Sequence, residues 1–406
     1  MNDCLIGIVA NEPSGDQLGA LLVQALRERR PGLRFVGVAG PKMLEQGCES
    51  LFPMERLSVM GLVEVLKVLP DLLHARRDLV RRLRALAPAA VIGVDAPDFN
   101  LGLERRLKAG GIPTIHLVSP TVWAWRPGRV KTIRRSVDLM LSIFPFEAEF
   151  LRAHRVPVEY IGHPLADEIP LEVDRSAARR SLGLGPGHPH ASAADAPTLI
   201  ALLPGSRNSE VESLGRPMLE TARWCFERRP TLRFIAAMAT PALHQRFHAM
   251  RREFAPEVPI WLVDGRSREV IAAADCVITA SGTATLETLL LKRPMIVAYR
   301  LHWLTYRLVT LLRLIKVRYA AMANLLIGRE LAPEFLQARC RADLMGPAVL
   351  EMLDNLDRRI EIERAYADVH RTLRRHASER AADAILALLG DRVARDSKGC
   401  AHAGTT

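Results

Sequence analysis

Leu5-Ile-Gly-Ile-Val-Ala10-Asn-Glu-Pro-Ser-Gly-Asp16 is the stretch that decides the fold. Leu5–Ala10 carries no polar side chain and reads as a strand buried on both faces. A short turn containing Pro13 and Gly15 follows, and Gln17–Arg29 then shows a helical apolar pattern. A doubly buried strand that turns sharply into a helix opens a β-α-β unit, and such units build parallel sheets covered by helices.

The rhythm continues outward from this segment. Phe35–Ala39, Ala89–Val94, Thr114–Val118 and Leu139–Ile143 read as strands, with helices at Asp71–Leu86 and Leu101–Ala109. Leu182–Thr198 is rich in Gly, Pro, His and Ala, lacks an apolar period, and reads as a surface insertion beside a domain junction. Strands resume at Leu199–Leu203, Arg233–Ala237, Ile260–Val263, Cys276–Thr279 and Pro294–Ala298. Two successive halves of this kind predict an α/β protein of two Rossmann-like domains, with ligands at the carboxyl ends of the strands and between the domains. The expected domains are residues 1–165 and 166–390, with a disordered tail at 391–406. The charged helical segment Asp343–Leu389 ends in a helix that can cross back to the first domain.

The 406 residues suffice for two cores, and 49% hydrophobic with 25% charged residues is a globular balance. A formal charge of +11 favours an anionic partner: phospholipid, nucleotide or nucleic acid. Zinc-finger spacing, an RNP1 segment and a basic zipper are missing, which argues against nucleic acid. Cys4, Cys48, Cys225, Cys276, Cys340 and Cys400 form no Cys-x-x-Cys pair and read as reduced, mostly buried small hydrophobes. The N-terminus leads straight into a strand without signal-peptide features, and no apolar run reaches the ~18 residues of a membrane span. The chain therefore reads as cytoplasmic, free to lie on a membrane surface.

Four strand-end motifs carry chemistry. Asn11–Asp16 offers backbone amides to an anion or sugar hydroxyl, or else is a plain turn with Ser14 or Asp16 as a helix cap. Val94–Asn100 (VDAPDFN) places Asp95 where an open α/β sheet does its chemistry, and an ordinary aspartate there can accept a proton; Asp98 reads equally as a cap. Gly205-Ser206-Arg207 combines amides, a hydroxyl and a guanidinium, which suits a diphosphate. Ser281-Gly282-Thr283 is a second small-residue turn, and Glu287 can accept from ribose hydroxyls or stabilise its own helix.

In this order the motifs resemble the lipid-A-disaccharide synthase family. The resemblance runs through NEPSGD, RFVGVAGPKM, VMGLVEVL, VIGVDAPDFN, HLVSPTVWAWRPGRV, PFE, YIGHPLAD, LLPGSRNSEVE, ASGTATLETLL, NLLIGRE and PEFLQ, over about residues 5–390. It implies a GT-B fold, two Rossmann-like domains facing across a cleft. It also implies a metal-independent, cofactor-free transfer from UDP-2,3-diacylglucosamine to 2,3-diacylglucosamine 1-phosphate. The resemblance makes Asp95 the base, with Asp98 and Glu12 as alternatives. Gly205, Ser206 and Arg207 would hold the diphosphate, and Ser281, Gly282, Thr283 and Glu287 the nucleotide. Asn324 and Gln337 would complete the donor site, and Ser14, Gly15 and Asp16 would face the acceptor. A homodimer stays open.

The chain departs from the family pattern in having Asn11 in place of a glycine, Pro13 in place of a small residue, and Met322-Ala323 in place of Leu-Pro. Asn tolerates left-handed backbone, and Pro13 biases Glu12 toward an extended conformation. Acylated substrates would account for two basic apolar stretches: Leu57–Leu73, followed by Arg76, Arg77, Arg81, Arg82 and Arg84, and His302–Tyr319. Either reads as a contact with the inner-membrane phospholipid surface or as a core helix with a solvated basic face. The alternative within the enzymes is a non-hydrolysing UDP-N-acetylglucosamine 2-epimerase.

Overall fold

The computed structural model describes residues 4–57, 62–125, 127–184, 197–301 and 318–402, with side chains except at 62–69, 124–125, 127 and 391–402. The chain divides into two units, Met1–Asp167 with Leu373–Thr406, and Glu168–Thr372.

In the first unit, β1 (Cys4–Ala10), β2 (Leu33–Val38), β3 (Glu49–Ser50), β4 (Ala90–Val94), β5 (Thr114–Leu117), β6 (Leu139–Ser142) and β7 (Val158–Tyr160) form one sheet. Its order is β3-β2-β1-β4-β5-β6-β7 and every pairing is parallel. The second unit holds β8 (Leu199–Leu203), β9 (Arg233–Met238), β10 (Ile260–Asp264), β11 (Cys276–Ala280), β12 (Met295–Tyr299) and β13 (Glu334–Leu336). They are ordered β10-β9-β8-β11-β12-β13, again all parallel. β4, β8 and β11 are buried along their whole length, as strands covered on both faces must be. β3, β7 and β13 escape the sequence reading because two or three residues carry no measurable period.

In each sheet the strand order reverses once, between β1 and β4 and between β8 and β11. The helices after the two central strands then leave in opposite directions and open a crevice at the carboxyl ends, where open α/β sheets bind ligands. All four strand-end motifs follow one of these four strands.

Helices begin earlier than the apolar pattern suggests. Pro13 and Pro97 occupy the first turns of helices Pro13–Arg29 and Pro97–Ala109, where a missing N–H costs nothing. Glu12 is the extended N-cap (φ −141°, ψ 159°), the conformation that Pro13 favours in the residue before it. Ser14, Gly15 and Asp16 therefore lie in a helical turn and not in the loop that the sequence suggests.

The terminal helix, Ala377–His402, belongs to the first unit, in line with the expected crossing back, although the boundary at 390 would count it with the second. Asp383 pairs with Arg29 at 2.5 Å and Arg380 with Glu159 at 2.7 Å, while Ala381, Ala382 and Ile385 are buried. The same helix runs through 391–402, which the sequence reads as a disordered tail. Among the described residues five cysteines are free, four of them buried.

Candidate active site

At the switch point of the first sheet, Ala10 pairs with Val94, so Asn11 and Asp95 follow adjacent strand ends. Asp95 (φ +52°) and Ala96 (φ +42°) both adopt left-handed backbone, which costs about 1–3 kcal/mol for each non-glycine residue and persists only where neighbours enforce it. Asn100 supplies that enforcement. It is fully buried, and its Nδ2 donates to the carbonyls of Asp95 (2.8 Å), Val94 (3.2 Å) and Val9 (3.4 Å). Below it, Glu104 and His116 are fully buried and 2.7 Å apart, and burial pushes the Glu104 carboxyl upward. Gly93 leaves room for this pair: a Cβ there would stand 2.2 Å from Glu104 Oε1. Asn100 closes the VDAPDFN motif, but nothing in the local pattern marks this task, because its three acceptors come together only in the folded chain.

Asp95 is half-buried and lines a cavity of about 520 Å³ with Asn11, Glu12, Arg76, Asp98 and Phe99. Burial, and then the nearby Arg106, Arg105 and Arg77, hold the Arg76 guanidinium below its usual range. A bound anion would reverse that penalty. Asp98 is exposed and pairs with Arg129 at 2.5 Å; it lies within the first turn of its helix, whose N-cap is Ala96 with no side-chain cap, so the reading of Asp98 as the cap is not met. Ser14 is exposed.

Asp16 does not face this cavity. It is 3% exposed and accepts from the amides of Gly40 (3.0 Å), Lys42 (2.9 Å) and Met43 (3.0 Å). Its carboxylate caps the short helix Pro41–Glu45 and not its own, so the sequence expectation of a substrate contact is replaced by a structural one. Gly15 is buried beside Val94, and a Cβ there would meet Val94 O at an ordinary 3.5 Å, so it approaches strand β4 instead of a ligand.

The second unit holds a cavity of about 330 Å³ lined by Gly205, Ser206, Arg207, Ser281, Gly282, Thr283 and Glu287. Glu210 is also there. Its Oε2 accepts from the amides of Ser206 (2.8 Å) and Arg207 (3.2 Å), the two donors that the sequence offers to a diphosphate. Gly205 makes this possible, because its φ is +119° and a Cβ would fall 2.3 Å from Glu210 Oε2. The Arg207 guanidinium lies 3.5 Å from Glu210 Oε1 and is 66% exposed, so it reaches outward. Across the cavity Gly282 (φ +141°) caps helix Thr283–Leu290; Thr285 N donates to Gly282 O at 3.0 Å, and the two amides before it lie ahead of the first intrahelical bond.

The remaining donor-side residues are committed within the protein. Glu287 Oε1 accepts from Arg268 at 3.0 Å, and Arg268 also pairs with Glu168 at 2.9 Å. Asn324 is fully buried. Its Nδ2 donates to Ala332 O (2.7 Å) and Glu334 (2.8 Å), and its Oδ1 accepts from Leu331 and Ala332, both at 2.9 Å. That saturated amide holds the 331–334 loop, so the direct contact expected of Asn324 is corrected to a scaffold role. Glu334, which the sequence reading passes over, accepts from Ala320 (2.7 Å) and Ala321 (2.9 Å), while Ser281 Oγ donates to Ala320 O at 2.8 Å. The Gln337 amide, oriented to satisfy its neighbours, donates to Leu301 O (3.3 Å) and accepts from Leu301 N (2.8 Å).

Glu147, in the PFE segment, is 2% exposed and burial pushes its carboxyl up to about 8. Trp123 Nε1 (3.1 Å) and Ser142 Oγ (3.2 Å) donate to it, tying the WAW segment to the end of β6. No group of three or more His, Cys, Asp or Glu is placed to hold a metal among the described residues.

With these turns in place the kinship is specific. The sequence pattern of lipid-A-disaccharide synthetase matches residues 6–388. The chain belongs to the lipid-A-disaccharide synthetase family. It is 49% identical to the lipid-A-disaccharide synthase of Azotobacter vinelandii over 94% of this chain and 97% of that one. Identity is also 49% to the Pseudomonas aeruginosa enzyme of the same name, over 95% and 98%. Among solved structures, the fold of this family member is shared by a UDP-GlcNAc 2-epimerase from Neisseria meningitidis bound to UDP-GlcNAc (TM-score 0.57, 11% identity, covering 95% and 99%). A glycosyltransferase from Rickettsia africae shares it too (TM-score 0.56, 10% identity, covering 96% and 99%). The two parallel-sheet α/β units are thus those expected of a GT-B synthetase.

Proposed function

We propose that the chain transfers 2,3-diacylglucosamine from UDP to the 6-hydroxyl of 2,3-diacylglucosamine 1-phosphate, giving the β-1,6 tetraacyl disaccharide 1-phosphate and UDP. Family membership across residues 6–388 carries this reading. The proton of the attacking hydroxyl passes to Asp95 as the new O–C1 bond forms. The C1–O bond to the diphosphate breaks with its electron pair leaving on UDP. Charge growing on that diphosphate is met by Arg207 and by the first amides of helix Thr283–Leu290, the kind of fixed positive potential that lowers such a barrier. Glu287 faces the ribose through Oε2, with Oε1 held by Arg268. Asn324 and Gln337 act through the loops they hold. On the acceptor side Arg76 meets the 1-phosphate. A mass-resolved product assay in excess EDTA tests the reaction. Disaccharide and UDP are expected; an isomer of unchanged donor mass would establish epimerisation, and loss restored by Mg²⁺ would establish a metal requirement.

We also infer that the protein works on the inner membrane surface. Among the described residues no helix is long and apolar enough to cross a membrane. The basic stretch after residue 70 is partly neutralised, since Asp78 pairs with both Arg81 and Arg82, but Arg81 stays 79% exposed. The second stretch, with Trp303, Leu304, Leu308 and Leu311, lies outside the described residues apart from Arg318 and Tyr319. Co-sedimentation with anionic vesicles, partly reversed by salt and more fully by detergent, is the expected result. Absence of sedimentation at low salt would refute it and leave the transferase reading intact.

A further inference from the structure

Asn11 is 1% exposed, and neither its Oδ1 nor its Nδ2 has a hydrogen-bond partner among the described residues. Nearby Asn100 has its Nδ2 satisfied by three carbonyls and only its Oδ1 without a partner among the described residues, whereas Asn11 has neither end made. A buried amide with both ends unmade is a cost that folds rarely carry without a function. Asn11 lines the cavity that also holds Glu12, Arg76 and Asp95, and strand register sets it beside Asp95; both amide ends are sealed in this conformation, so a ligand meets them after the side chain turns toward the cavity.

We propose that Asn11 is a positioning residue for the acceptor sugar, binding two hydroxyls on one edge of the ring. The chemistry of the amide selects the partner. It presents one acceptor and two donors on a single plane. A phosphate has only acceptors to offer and would set its charge against Oδ1. An acyl chain offers neither. A pair of neighbouring hydroxyls satisfies both ends, one donating to Oδ1 and the other accepting from Nδ2. In an acceptor acylated at positions 2 and 3, the free hydroxyls are those at positions 4 and 6, and they share an edge. The 4-hydroxyl donates a hydrogen bond to Asn11 Oδ1. Asn11 Nδ2 donates to the lone pair of O6 not used in attack, while the O6 proton faces Asp95. This assignment rests on the transferase reading above and adds to it a recognition of the 4-hydroxyl.

The test is a cycle of two enzymes and two acceptors, the wild type and Asn11→Leu with the natural acceptor and its 4-deoxy analogue. Leu keeps the branched shape, though it is larger, and removes both polar ends. The wild type should lose about ten-fold in kcat/KM on the 4-deoxy acceptor, a change of about 1.4 kcal/mol. Asn11→Leu should show that loss already on the natural acceptor and little further loss on the analogue. Its KM for the donor and its thermal midpoint should be unchanged, or the midpoint raised, since no buried polar group is left unpaired. Asn11→Gly provides the same cycle should the leucine variant fail to fold. Additive losses, or a lowered midpoint with unchanged acceptor kinetics, would overturn the assignment and make Asn11 a structural residue. If the wild type forms no disaccharide from either acceptor, the transferase reading falls and this inference with it. If the wild type forms it and both variants match the wild type, only the role of Asn11 falls.

Discussion

Replacing Asp16 by Ala separates structure from catalysis in the motif where the sequence is most ambiguous. The carboxylate caps helix Pro41–Glu45 with three amides at 2.9–3.0 Å, and it is 3% exposed. Loss of a cap costs about 0.5–2 kcal/mol, and a buried donor left unsatisfied costs about 1–3 kcal/mol. Gly40 packs directly on the carboxylate, a Cβ there falling 2.5 Å from Asp16 Cγ, so water replaces the lost oxygen atoms poorly. Taking about 3 kcal/mol for the set, a unit of about 200 residues should melt roughly 6–12 °C lower. Asp16→Asn should cost less, because one oxygen remains for Gly40 and Met43 and only the Lys42 amide meets a donor. Scanning calorimetry of the three proteins measures this, with UDP affinity as the control expected to stay constant. An Asp16→Ala protein with an unaltered melting temperature and a raised acceptor KM would refute the capping argument and return Asp16 to the acceptor site.

Asp95→Asn should abolish turnover and leave UDP affinity unchanged by calorimetry; near-normal turnover would move the base to Glu12 or Asp98. Arg207→Ala should weaken UDP binding and slow the chemical step, with Lys recovering part of both because it lacks the guanidinium fork; full recovery by Lys would show that charge alone suffices. Glu147 gives a pH signature. Its carboxyl titrates near 8 in the folded chain and in the ordinary glutamate range when unfolded, so the folded state binds the extra proton in between. Stability should therefore fall as pH rises through that window, by an amount on the order of a few kcal/mol, and level off above it. Urea unfolding from pH 5 to 9 should show a shallower slope in Glu147→Gln, and equal slopes would contradict a buried, protonated Glu147.

The sequence alone was enough for the fold and for the placement of its chemistry. Continuous apolar runs such as Leu199–Leu203, too short for a helix and bounded by turn residues, read as strands covered on both faces, and strands alternating with helices imply a parallel sheet. The positions of Asp95, Arg207 and Ser281-Gly282-Thr283 at strand ends follow from the same pattern, and the structure lines two cavities with them. What each polar group bonds to was decided only by tertiary contact. Asp16 reads as a cap for its own helix or a ligand contact, but its carboxylate reaches amides 24 to 27 residues away. Asn324 reads as a donor-site residue and is consumed by the 331–334 loop, while Glu210 takes the amides of Ser206 and Arg207. The terminal helix joins the first unit, as the sequence reading allows, but the partners that hold it there, Arg29 and Glu159, are set by tertiary contact. Periodicity reports which face of an element is buried, because burial repeats with the backbone. A hydrogen bond depends on one donor meeting one acceptor across the fold, and the sequence spacing between them carries no such repeat.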